Sequence, residues 1–154
     1  MARNFKTDWD AVTIAAPKTL AALENTATPV KAEIYEIAWG SPASPSTAAG
    51  TYAAGRTTAN GTGGTTPTAV LMDPDAAPAN TMTVRLPAVE PTYGATVLGP
   101  LPLNQQATFR WVTQPGQGTG LYSAHAGSSS GMGFKSIAIG GSAFTSSGHI
   151  MWQE

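Results

Sequence analysis

The chain has 154 residues, with 8 Lys and Arg against 9 Asp and Glu, and only 11% of its residues are charged. Such a length fits one domain, and a net charge of −1 leaves no cationic excess to track phosphates or to hold a polybasic patch on a membrane. The absence of cysteine excludes disulfides and cysteine-based zinc sites.

The hydrophobic share of 42% is carried largely by 26 Ala, while Leu, Ile, Val and Phe together number 25. Gly, Ala, Ser, Thr and Pro make up 87 of the 154 residues. There is therefore much backbone to order and few large side chains to bury. A thin core follows, together with the expectation that a partner or further copies of the chain add stability. No apolar run approaches the roughly 20 residues needed to span a bilayer. Residues 1–10 contain no apolar stretch of the kind a secretory signal needs.

In chain order, residues 1–11 are polar with two aromatics, Phe5 and Trp9, and read as an extended N-terminal arm. Strands are expected at residues 12–15, before Pro17, and at 31–39, where Tyr35, Ile37 and Trp39 would share one face. Residues 18–23 suit either a strand or a helical turn. Residues 51–58 form a weak strand, and Asn60-Gly61 signals a hairpin turn. Residues 68–72, 82–86 and 95–98 are short strands, followed by a link containing Pro100 and Pro102. Residues 106–113 alternate most regularly, with Ala107, Phe109 and Trp111 on one side and Thr108 and Arg110 on the other. Later strands are expected at 120–124, 135–139 and 149–153. Short strands at this spacing, punctuated by turns, predict an all-β, single-domain antiparallel β-sandwich, jelly-roll-like. The arm would be residues 1–11 and the sandwich residues 12–154.

Groups able to do chemistry are few. Residues 127–131 match G-x-S-x-G around Ser129. That motif needs a strand-to-helix elbow and a later acid and histidine, and no helical pattern follows it. Residues 131–136 resemble a phosphate loop only faintly, because Phe134 separates the glycine from Lys135. His125 and His149 are expected without a nearby carboxylate, and Asp73 and Asp75 lack the further ligands of a calcium loop. Glu33 and Glu36, three apart on a strand, are expected on opposite faces and so do not form a carboxylate pair. The aromatics Tyr35, Trp39, Phe109, Trp111, Phe134 and Trp152 are expected in the core. No catalytic residue, cofactor or metal ligand is assigned.

Residues 33–41 (EIYEIAWGS), 56–75 (RTTANGTGGTTPTAVLMDPD), 90–93 (EPTY) and 103–112 (LNQQATFRWV) resemble a family of small structural proteins of tailed bacteriophages and prophages. Members of that family act as capsid decoration, or cement, proteins. The resemblance implies a jelly-roll β-sandwich on the outer surface of the virion, made in the cytoplasm of a bacterial host. It further implies binding to the major capsid protein, frequently as a homotrimer, with no enzymatic activity. Arg3, Phe5, Lys6 and Trp9 of the arm are the expected capsid or neighbour contacts. On this reading, deletion of residues 1–10 would weaken capsid binding without unfolding the domain. The competing readings are a glycan-binding or adhesin module, which needs exposed aromatic rings, a hydrolase built on Ser129, and a head-fibre or tail component.

Overall fold

A computed structural model describes residues 3–25, 31–43, 45–73, 82–122 and 130–154. The strands are β1 (Asn4–Ile14), β2 (Thr19–Asn25), β3 (Glu33–Gly40), β4 (Ala49–Ala59), β5 (Val70–Leu71), β6 (Met82–Arg85), β7 (Thr92–Asn104), β8 (Phe109–Val112), β9 (Leu121–Tyr122), β10 (Gly131–Ala138) and β11 (Phe144–Gln153). No helix occurs among the described residues. One sheet has the order β5-β1-β11-β3-β8, with β9 also paired to β3, and the other has the order β6-β2-β10-β4-β7. All of the pairings are antiparallel.

Without the short strands β5, β6 and β9, the sheets read β1-β11-β3-β8 and β2-β10-β4-β7. In chain order these eight strands alternate one by one between the two sheets, except that β4 and β7 are neighbours in the second sheet, and the first strand lies beside the last. This is the eight-stranded, double Greek-key order of a jelly roll.

The inner faces explain how so few large residues suffice. Across the first sheet, the register places Phe5 opposite Trp152 and Thr7 opposite Ile150, with Trp9 opposite Gly148. Trp39 then meets Tyr52 and Phe134 of the second sheet, with ring centroids 4.9 and 4.5 Å apart, and Phe109 of its own sheet at 4.2 Å. Phe5 stacks on Trp152. Gly148 is required here, because a Cβ would come within 2.6 Å of the Trp9 ring and 2.2 Å of the Ala38 carbonyl oxygen. On the far side of the molecule, Tyr93 lies across the outer face of the second sheet. A Cβ on Gly133 would stand 2.2 Å from its hydroxyl. Tyr93 shares a hydrogen bond of 2.7 Å with Thr19, and burial pushes its phenol well above the usual tyrosine range.

Several sequence expectations change. The N-terminal segment is no arm: from Asn4 onward it is β1, hydrogen-bonded along β11, with Phe5 and Trp9 only 2% and 3% exposed. The sandwich thus includes these residues. Pro100 and Pro102 stand within β7 rather than in a link. They are tolerated because β7 is an edge strand, whose outward N–H positions need no partner. The alternating run 106–113 contributes only the four residues of β8, since Ala107 N–H turns back to the Asn104 carbonyl. Asn60-Gly61 does leave the strand, but it does not join a β4–β5 hairpin, because β4 pairs with β10 and β7. Its Asn60 Nδ2 donates to the Asn25 carbonyl and its Gly61 N–H to Glu24, at 2.9 and 2.8 Å.

Candidate functional site

The central strands β2 and β3 are buried along nearly their whole lengths. Four polar side chains on them reach outward, and each is met by a group lying over it. Thr19 gives its N–H and hydroxyl to Glu90. Glu24 accepts from Gly61 N–H and, at 2.8 Å, from Arg85 Nε. Glu33 accepts from the N–H groups of Gly116 and Gly120 at 2.9 and 3.1 Å. Glu36 holds Arg110 and His149. Burying carboxylates is costly unless they are paired and hydrogen-bonded in this way.

Glu33 and Glu36 share one face, contrary to the expectation from their spacing. Glu36 lies opposite Met151 and Ile34 opposite Trp152, so Tyr35 is an extra residue in β3. This bulge shifts the alternation by one, and both carboxylates point outward. They still do not act as a pair, because each is committed to different partners.

The densest polar cluster lies on the outer face of the first sheet. Arg110 from β8 donates Nε and Nη2 to Glu36 at 2.9 and 3.1 Å, a bidentate pair, while His149 Nε2 from β11 lies 2.8 Å from Glu36 Oε1. The Arg110 hydrogen bond holds the Glu36 carboxyl below its ordinary range; burial opposes this and His149 adds to it. Beside the cluster runs a groove of about 430 Å³, floored by Ala38 and Gly40 and bordered by Asp8, Thr108, Ser147 and His149. The arrangement ties three strands together and leaves Glu36 with no oxygen free of a cationic neighbour. Among the described residues, no group of three or more His, Cys, Asp or Glu stands ready to hold a metal ion.

The cluster predicts a pH dependence. A carboxyl lowered in the folded state stabilises it at pH values above its ordinary 4.5, and that contribution is lost as pH falls through the lowered value. Glu36→Gln should therefore flatten the acid side of the stability curve. Melting temperatures of both proteins between about pH 3 and pH 7 test this; parallel acid limbs would refute it.

The expected contact residues divide. Phe5 and Trp9 are core, and so they are withdrawn as capsid contacts: their rings are spent on Trp152 and on the space above Gly148. Lys6 pairs with Asp8 at 2.8 Å on the outer face. Arg3 joins the end of the sheet, its N–H bonded to the Glu154 carbonyl at 3.0 Å. Glycan binding asked for exposed rings, yet Trp9, Trp39 and Trp152 are buried. Residues 131–136 are part of β10 rather than a phosphate loop. Ser129, His125 and Asp75 lie outside the described residues. The sequence reading missed the Glu36–Arg110–His149 cluster; the outward position of Arg110 in its alternating run was the one signal available. Comparison with protein-family models, with curated proteins and with solved structures finds no match for this chain.

Proposed function

We propose that the chain is a capsid decoration protein of a tailed bacteriophage. In this reading it binds the outside of the shell as a trimer and clamps adjacent major capsid subunits, without enzymatic activity. The observation that carries the reading is the strand order. The resembling segments call for a jelly roll, and the sheets β1-β11-β3-β8 and β2-β10-β4-β7 have that order. Those segments form β3, the run from β4 through the Asn60 turn to β5, the start of β7, and the turn into β8.

Surface chemistry adds support. With 11% charged residues and 21 Thr, the chain can meet another protein through hydroxyl and backbone hydrogen bonds while stripping water from few charges. The sheet edges discourage strand pairing with neighbours. Edge strand β7 contains two prolines and four register shifts, and β1, which β5 covers only at Phe5 and Lys6, has a bulge farther along at Asp10 and Ala11, with Ala11 at φ 50°. Both are devices that keep edges from adding strands. Contacts would therefore be made by faces and loops.

The test is binding to phage shells that lack their decoration protein. Saturable occupancy at a fixed ratio to the capsid subunit, with a native mass three times that of the chain, is the expected result. No occupancy at micromolar protein would overturn the reading.

A further inference from the structure

On the outer face of the second sheet, a cleft of about 300 Å³ opens where the start of β2, the end of β10 and the approach to β7 converge. Lys18 and Lys135 both line it. Lys6, Arg85, Arg110 and His149 each sit in an ion pair, and none of these pairs takes Lys18 or Lys135. One carboxylate, Glu90, also borders the cleft. Its Oε2 is occupied by the N–H and hydroxyl of Thr19. Two lysines thus line the cleft against a single carboxylate, so its lining carries a net positive charge.

Lys135 is held at its ammonium group and Lys18 at its main chain. Lys135 Nζ sits 3.7 Å from the centroid of the Tyr93 ring, a cation–π geometry that restrains the group. Tyr93 is itself anchored by Thr19. Lys18 is tied to β10 through its main chain, with its N–H on Ser136 Oγ at 3.1 Å and its carbonyl accepting from Ser136 N–H at 2.9 Å. Donors fixed in advance lose less entropy when they bind. The remaining walls are apolar, formed by Pro17, Pro91 and Ile137, the last 44% exposed.

We infer that this cleft receives an acidic side chain, Asp or Glu flanked by an aliphatic residue, from a protein partner. Charge complementarity selects an anion, and the apolar walls select one carried on a peptide. A phosphate chain would gain nothing from the prolines, and its multiple charge would meet Glu90. The identity of the partner as the capsid subunit rests on the function proposed above; the acidic peptide chemistry does not.

The experiment has two arms, each on the full chain. Hexaglutamate is titrated into the ¹⁵N-labelled protein, with tripolyphosphate as the comparison. Saturable, salt-sensitive shifts at Lys18 and residues 135–137 with hexaglutamate are expected. Shifts with tripolyphosphate alone, or with neither, would overturn the inference. In the second arm, shells are offered wild-type protein, the double variant Lys18→Gln/Lys135→Gln, Ile137→Glu, and Lys31→Gln as a control away from the cleft. The double variant and Ile137→Glu should occupy shells roughly tenfold more weakly, about the loss of one good charge contact, while Lys31→Gln matches wild type. Folding of each variant is checked by its amide spectrum. Equal occupancy by all of them would overturn the capsid role of the cleft and leave the proposed function standing. Failure of the wild type to occupy shells would overturn the function, and the titration alone would then decide the chemistry of the cleft.

Discussion

A chain lacking residues 1–10 is expected not to fold. The deletion removes most of β1, and with it the hydrogen bonds that β11 makes from Gly148 to Gln153. It also removes Phe5 and Trp9, which are 2% and 3% exposed. Losing one large aromatic from a core costs about 3–5 kcal/mol, and an entire domain is stable by only about 5–15 kcal/mol. Two aromatics and an inner strand exceed that margin. Trp152 and Ile150 would be uncovered at the same time, so aggregation should accompany the loss. Circular dichroism and amide dispersion of the truncated protein test this. A soluble product with native dispersion would show that β1 is dispensable after all.

Trp39→Ala is expected to be the most damaging single substitution. Trp39 is 4% exposed and touches rings from both sheets. With Gly148 opposite it in the register, no side chain from β11 can fill the space it leaves. The loss should approach the upper end of the roughly 3–5 kcal/mol seen for buried aromatics, lowering the melting temperature by about 10 °C or more. Trp111→Ala is the informative comparison. Trp111 is half-buried on edge strand β8, and its removal should cost clearly less. Urea midpoints for the two variants give the order directly, and a larger effect at Trp111 would contradict the described packing.

The fold class was legible because the turn residues punctuate the chain and because alternation survives in most strands. The signal in β1 was present as well. Phe5, Thr7 and Trp9 alternate with Lys6, Asp8 and Asp10, but Thr7 counts as polar in any hydrophobicity pattern although it is buried here. In β7 the prolines argued against a strand, and only its edge position, a property of the whole sheet, makes them acceptable. The turn at Asn60-Gly61 was visible, whereas the partners of β4 were not. Those lie in β10 and β7, joined by long-range pairing that local sequence does not encode.

The polar cluster was less legible still. Its geometry depends on one extra residue, Tyr35, which turns Glu36 to the face where Arg110 and His149 lie. Nothing in the letters E-I-Y-E marks a bulge. The cleft at Lys18 and Lys135 joins residues 117 positions apart, and only the β2–β10 pairing brings them together.

The pairing of β1 with β11 also determines how the molecule would carry mechanical load. Arg3 and Glu154 exchange two backbone hydrogen bonds, so the two strands have their outer ends side by side. Tension applied at those ends would open the ladder one rung at a time, as a zip opens, rather than shearing all of its bonds together. In the clamping role proposed above, the molecule would resist force loaded across its faces and loops and yield when pulled by those paired ends.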